Sequence, residues 1–188
     1  MNSRNDKGSV RIIAGQWRSR RLPVPDIPGL RPSGDRSRET LFNWIQVHIP
    51  GAACADLFAG TGALGFEAAS RGAASVDMVE RDARAARHLN DSVALLDAGR
   101  VSVHQADALA RLKQQSAGSF NIMFVDPPFQ DQLHDEVLEA IEQSACLGEG
   151  GLVYVESSSQ DTAPRAPAGW LCWKEKVIGD VRLQVFRR

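Results

Sequence analysis

Downstream of residue 53, short apolar runs alternate with segments whose apolar residues recur at helical spacing. The runs cover 54–58, 75–79, 101–104, 120–125 and 151–156, and the expected helices cover 63–71, 83–96, 108–115 and 132–146. In the second helix Ala86, Leu89, Val93 and Leu96 share one stripe, which is the face that packs on a sheet. Continuous apolar strands joined through helices are buried on both faces, so the pattern predicts an α/β chain built on parallel strands. The last part differs. Residues 170–178 and 181–186, joined through Gly179-Asp180, predict an antiparallel hairpin, with a Pro/Ala loop over 162–169 before it. No internal repeat is present.

Upstream, residues 1–9 read as disordered. Residues 10–22 (VRIIAGQWRSRRL) hold β-formers around Ala14-Gly15-Gln16, which suggests a short hairpin displaying Arg11, Arg18, Arg20 and Arg21. Four prolines between 22 and 32 make a stiff connector. A helix then runs from a Ser33 or Asp35 cap to about Val47, with Leu41, Ile45 and His48 on one side and Phe42 and Ile49 adjacent, until Pro50-Gly51 ends it. The chain therefore divides into a basic arm and connector, 1–32, and a main domain, 33–188.

Charge sharpens that division. Residues 1–38 carry nine Lys and Arg against three Asp, a net of +6, and the rest carries 13 basic against 20 acidic groups, a net of −7. An Arg-rich segment on a mildly acidic domain is the pattern of a nucleic-acid contact arm, although solvated basic tails are common. Removing residues 1–22 should then lower nucleic-acid affinity and spare ligand binding by the main domain. No apolar run approaches the roughly 20 residues that span a bilayer, and the polar start lacks the apolar core of a secretory signal. A cytoplasmic protein is expected. Cys54, Cys146 and Cys172 stand alone, without metal-ligand or disulfide spacing, and read as buried free thiols.

In an open parallel sheet, ligands gather beyond the carboxyl ends of the strands. Four successive strands here end in an acid: Asp56, Glu80, Asp107 and Asp126. After the first come Gly60, Gly62 and Gly65, a G-x-G-x-x-G that on its own fits a nicotinamide-dinucleotide enzyme equally well. Asp56 shifts the balance. A pyrophosphate at a helix N-terminus disfavours so close a carboxylate, whereas a cationic amine or sulfonium favours it. Asp56 can also cap the turn, and both roles can hold at once. Glu80 can accept both hydroxyls of a ribose, or be a solvated strand-end acid. Asp107 can accept from an adenine amine or cap the following helix.

Asp126-Pro127-Pro128-Phe129 is the most specific signal. Two prolines stiffen the backbone, which sets the Asp126 carboxylate and the Pro127 carbonyl as fixed acceptors beside the flat face of Phe129. Two acceptors and a stacking platform match a planar substrate with an exocyclic NH2. The ordinary alternative, a proline-terminated strand with a core Phe, leaves the flanking acid unexplained.

D-L-F-A-G-T-G-A-L-G, Glu80, Asp107 and D-P-P-F, in that order, resemble the class I S-adenosylmethionine-dependent methyltransferases that act on exocyclic amines. V-R-I-I-A-G-Q-W-R-S-R-R-L-P-V-P and L-R-P-S-G-D-R-S-R-E-T-L-F-N-W narrow this. They are similar to the bacterial small-subunit (16S) ribosomal RNA guanine-N2 methyltransferases, with Ser33 where that family usually has Thr. V-R-L-Q-V-F departs from the tyrosine-bearing strand expected there. The resemblance implies a Rossmann-like class I methyltransferase fold, with a seven-stranded, mostly parallel sheet and a C-terminal antiparallel hairpin, plus the basic β-hairpin arm. It implies methyl transfer from S-adenosyl-L-methionine to guanine N2 of 16S ribosomal RNA, in an assembling small ribosomal subunit, by a monomer that uses no metal and no membrane. By the same resemblance Asp126, Pro127, Pro128 and Phe129 are catalytic. The cofactor falls to Asp56, Phe58, Ala59, Gly60, Thr61, Gly62, Glu80, Arg81, Asp107, Ala108, Ser33 and Arg36, and the RNA to Arg11, Arg18, Arg20, Arg21 and Arg31. Arg36 and Arg38 could each meet cofactor or RNA, or pair with Glu39. The same D-P-P-F chemistry serves adenine N6 or a protein glutamine, and a nicotinamide-dependent oxidoreductase is the reading from another class.

Overall fold

In the computed structural model, which describes residues 8–28, 30, 34–128 and 131–188, the alternation resolves into five parallel strands and a terminal antiparallel pair. In chain order the elements are β1 (Ser9–Arg11), β2 (Arg21–Pro23), α1 (Asp35–Ile45), β3 (Ala53–Asp56), α2 (Ala63–Ser70), β4 (Ser75–Glu80) and α3 (Ala83–Leu96). There follow β5 (Val101–Gln105), α4 (Ala108–Leu112), β6 (Phe120–Val125), α5 (His134–Ser144), β7 (Leu147–Ser158), β8 (Leu171–Ile178) and β9 (Val181–Arg187). The main sheet has the order β5-β4-β3-β6-β7-β9-β8, with β9 antiparallel to both its neighbours. From β3 the chain moves outward to β4 and β5, then returns to place β6 on the other side. That reversal puts the topological switch between β3 and β6, where an open α/β sheet leaves a crevice.

One face of the sheet is covered by α1, α2 and α3, with Leu41, Phe42, Ile45, Leu64, Phe66 and Leu89 in its core. The other is covered by α4 and α5 through Leu112, Val137, Leu138 and Ile141. Four local expectations change. The cap position of α1 is Gly34, with no side-chain cap, and Asp35 is the first helical residue; Ser33 lies outside the described residues, as do 1–7. His48 is exposed rather than core and meets Trp173 edge-on. Cys172 is exposed, unlike Cys54 and Cys146. β7 begins at Leu147 rather than 151, across a register irregularity opposite residues 120–122.

The basic hairpin pairs Ser9 with Pro23 through Arg11 with Arg21, and its loop is docked on α2 rather than standing clear. All eight residues of α2 are buried, including Glu67 in the middle of an apolar run. The Glu67 carboxylate accepts from the amides of Ile13 (2.7 Å) and Ala14 (3.0 Å) and from Arg71 Nε (2.6 Å), with Arg38 Nη1 at 3.6 Å. One turn later Ser70 accepts from Trp17 N through its hydroxyl, donates that hydroxyl to Ala14 O, and offers its carbonyl to Gln16 N. The contact is close enough that a Cβ on Gly15, at φ +85°, would lie 1.9 Å from Ser70 O. Ile12, Trp17 and Leu22 are consequently core residues. Removing residues 1–22 would strip them out, so the truncation is not a selective probe of RNA binding.

Arg38 is 1% exposed. It pairs with Asp35 and donates to Arg11 O, which removes it from the residues that could meet cofactor or RNA. Replacing Glu67 leaves two half-buried amides without their acceptor and removes the buried carboxylate that faces Arg38 and Arg71. Glu67→Ala should therefore cost about 3–5 kcal/mol, read as a lowered urea midpoint, while the exposed Arg18→Ser stays within ±0.5 kcal/mol.

Candidate functional site

The carboxyl ends of β3, β4 and β6 meet at the switch, and each brings a residue singled out by the sequence. At β3, Leu57 N donates to Phe124 O and Ala59 N to Val79 O, pinning the outgoing turn to both flanking strands. Gly62, at φ +78°, is the cap position of α2 with no side-chain cap. A Cβ on Gly65 would lie 2.4 Å from Met78 Cε, so the third glycine sets how closely α2 rides on β4. Thr61, Ala59 and Gly62 are buried, while Phe58 and Gly60 are half-buried at the surface of the turn.

Asp56 is 1% exposed. Its Oδ2 accepts from Gly65 N at 3.0 Å, which satisfies one of the free donors of the α2 N-terminus. Its Oδ1 is buried and has no hydrogen-bond partner among the described residues. Burial pushes this carboxyl up to about 7, against the lowering pull of the Gly65 and Phe58 amides, and the Glu80 charge adds a smaller push. A carboxylate held this way gains from any cation that arrives beside it.

Glu80, half-buried at the end of β4, accepts from Gly60 N at 2.9 Å and from Asp82 N at 2.8 Å. It therefore ties the glycine turn to the loop entering α3. Arg81 is exposed and pairs with Asp131 at 3.1 Å, joining the β4 end to the segment after β6. Because β3 lies between those strands, this pair spans the crevice. Asp107 is the N-cap of α4 and accepts from Ala110 N at 2.9 Å, and Ala108 is buried behind it. The capping role of Asp107 is thus present, at an exposed position. Leu30 of the connector reaches over the turn, 3.2 Å from where a Gly60 Cβ would stand.

Asp126 follows β6 and is half-buried, Pro127 is buried, and Pro128 is exposed with its carbonyl accepting from Asp131 N. Phe129 lies outside the described residues, as do Ser33 and Arg31. Arg36 is exposed on the first turn of α1, and Arg11, Arg18, Arg20 and Arg21 are all exposed on the hairpin. The structure thus gathers Asp56, Gly60, Gly62, Glu80 and the Asp126-Pro127 corner at the β3/β6 switch, and leaves the hairpin arginines exposed. Two groups escape a reading of the sequence. One is the Glu67–Ser70 anchor, signalled only by an acid inside an apolar helix. The other is Tyr154, the only tyrosine, whose hydroxyl donates to Glu156 at 2.7 Å in the buried end of β7.

A donor ligand with a cation at one end and a ribose fits this crevice. The orphaned Asp56 Oδ1 suits the cation, and the Glu80 carboxylate lies beside a turn without a side-chain cap. Among the described residues no cluster of His, Cys, Asp and Glu could hold a metal, and no helix is long and apolar enough to cross a membrane.

Five parallel strands with the β3/β6 switch, closed by an antiparallel pair in which the last strand lies inside, define the class I methyltransferase fold. Comparison bears this out: a methyltransferase from Geobacter sulfurreducens shares the fold with a TM-score of 0.65 at 16% identity, over 83% of this chain and 80% of that one. The chain belongs to the family described as Conserved hypothetical protein 95, which matches residues 10–187. It is 46% identical over 181 residues to Ribosomal RNA small subunit methyltransferase D of Escherichia coli K12, covering 96% of this chain and 91% of that protein. The protein of the same name in Haemophilus influenzae is 40% identical over 186 residues, covering 97% and 96%. The solved structure of yhhF from Escherichia coli superposes with a TM-score of 0.89 at 44% identity, covering 96% of this chain and 98% of that one.

The raised Asp56 carboxyl has a defined pH signature. Its folded value lies above its unfolded value, so its contribution to stability is complete below about pH 4 and lost as pH rises through about 7. Asp56→Asn keeps an acceptor for Gly65 N and cannot ionise. Urea titrations should find the variant close to wild type near pH 4 and more stable by roughly 3–4 kcal/mol at about pH 8.

Proposed function

We propose that this protein transfers a methyl group from S-adenosylmethionine to the exocyclic N2 amine of a guanine in small-subunit (16S) ribosomal RNA, in the cytoplasm. The observation that carries the reading is the meeting, at the β3/β6 switch, of a buried carboxylate with an orphaned oxygen and an Asp-Pro-Pro corner. The names of the Escherichia coli and Haemophilus influenzae relatives support a ribosomal RNA substrate.

In this reading Asp56, with the backbone of 58–62, takes the amino-acid end of the cofactor, joined by Ser33 and Arg36. Glu80 takes the ribose, Arg81 borders it, and Asp107 and Ala108 border the adenine. When bound, S-adenosylmethionine supplies an electrophilic methyl whose sulfur leaves as a neutral thioether. Guanine N2 is a weak nucleophile because its lone pair is delocalised into the ring. The Asp126 carboxylate and the Pro127 carbonyl accept hydrogen bonds from its two N–H groups, which favours a pyramidal nitrogen and fixes the direction of its lone pair. The anionic Asp126 also stabilises the positive charge that develops on that nitrogen. The extra proton is then lost to solvent. Pro128 stiffens the corner, and Phe129 stacks on a base that must leave its own stack to arrive. Arg11, Arg18, Arg20 and Arg21 with Arg31 hold RNA phosphates. The division near residue 32 is then one of function, between an RNA-contacting and a cofactor-binding part.

Asp126→Ala should leave cofactor affinity by calorimetry within about threefold, and lower transfer of a tritiated methyl to RNA by about 10²–10³-fold or more. Full activity in that variant would refute the assignment, and mass spectrometry of RNA from a deletion strain would locate the modified guanine. The triple substitution Arg18→Ser, Arg20→Ser, Arg21→Ser should leave cofactor binding intact. It should also reduce the salt slope of RNA binding by roughly 0.7 for each phosphate no longer neutralised.

A further inference from the structure

Beside the Asp126-Pro127 corner lies a carboxylate for which neither the fold nor the cofactor gives a reason. β6 and β7 are parallel, with Phe124 opposite Tyr154 and Val125 opposite Val155. The next step of that register sets Glu156 beside Asp126, on neighbouring strands about 4.8 Å apart. Phe124 and Tyr154 share a face, their rings 6.5 Å apart and edge-on, and paired positions two residues further on return to that face. Glu156 is 5% exposed. Among the described residues no Lys, Arg or His pairs with it; its one side-chain hydrogen bond comes from the Tyr154 hydroxyl, at 2.7 Å on Oε2.

The tyrosine faces both acids. Burial first, then the charges of Glu156 and of Asp126, hold its phenol well above the ordinary range, which places it within electrostatic reach of each. Burying a carboxylate without a cation is costly, and a single phenol offsets only part of that cost. The phenol meets Oε2 alone, next to the place where an amine is to be held.

We infer that Glu156 is a specificity-determining residue that accepts the N1–H of the target guanine while Asp126 and Pro127 hold its N2 amine, with Tyr154 as the residue that positions it. This rests on the proposed guanine-N2 reaction and deepens it. Guanine presents N1–H and N2–H side by side, a pair of donors that two carboxylates on adjacent strands can straddle. Adenine has an unprotonated N1, so its lone pair would face Glu156 and leave that acid unpaired. A site whose buried acceptor goes unmet discriminates more strongly than one that merely loses apolar contact. Tyr154 occupies Oε2 and so leaves Oε1 for the base.

The discriminating probe is RNA carrying 2-aminopurine in place of the methylated guanine, since 2-aminopurine keeps the 2-amino group and lacks the N1 proton. Wild type should prefer guanine by about 10- to 100-fold in kcat/KM, the worth of one hydrogen bond to a charged group. In Glu156→Gln the amide can donate to an unprotonated N1, so the guanine to 2-aminopurine ratio should fall toward one, with cofactor affinity unchanged. Tyr154→Phe, which frees Oε2, should lower the same ratio part of the way and decides the matter should Glu156→Gln not fold. A purely structural pair would lower both rates together. Guanine methylation with an unchanged ratio in the variants overturns this inference alone, whereas no guanine methylation by wild type overturns the reaction it rests on, and the inference with it.

Discussion

The buried carboxylate of Glu67 is the tie on which the arrangement of the first seventy residues depends. It takes two amides from the hairpin loop and faces guanidinium groups from α1 and from the end of α2. Three segments remote in sequence thereby share one acceptor. Arg71, held by it, also lies 5.0 Å over the ring of Phe42, which in turn meets Phe124 of β6. The arginines at residues 11–21 are thus displayed from a body rather than a tether. Any RNA gripped by that surface is presented to the site at a distance set by side-chain packing, not by the reach of a linker.

A second tension lies in the crevice itself. Asp56, Glu80 and Asp126 converge there from three neighbouring strands, and a fourth acid, Glu156, follows on β7. Convergent carboxylates repel one another, and the raised Asp56 carboxyl reports the cost of burying one of them. A neutral or anionic ligand would leave that cost in place. A ligand with a positive centre, or one rich in N–H groups, would relieve it.

Much of this is legible in the sequence because burial on both faces leaves a continuous apolar signature. β6 and α3 lie where periodicity sets them, and the acids at the strand ends follow by counting from those runs. What stays hidden depends on partners distant in sequence. Glu67 and Ser70 meet residues more than fifty positions away, and nothing local in A-L-G-F-E-A-A-S announces them. Arg38 reads as a surface group because charged side chains are rarely buried unless paired, and its partners come from elsewhere in the chain. Residues 147–150 lie ahead of the strand that the sequence predicts from 151, yet β7 runs through them with a shift of register. Tyr154 and Glu156 read as strand residues only, since the pairing that sets them beside Asp126 is a property of the sheet.

The position of β9 inside the sheet imposes an order on assembly. β8 is made before β9 and yet pairs only outside it, so when β8 first forms, its native neighbour does not exist. The open edge of β7, rich in Val and Leu, is available meanwhile to β8 or to another molecule. Native closure waits for β9, which pairs with β7 on one side and β8 on the other. A chain stalled before Val181 would carry an unsatisfied β7 edge, the kind of surface that chaperones bind and aggregates grow from.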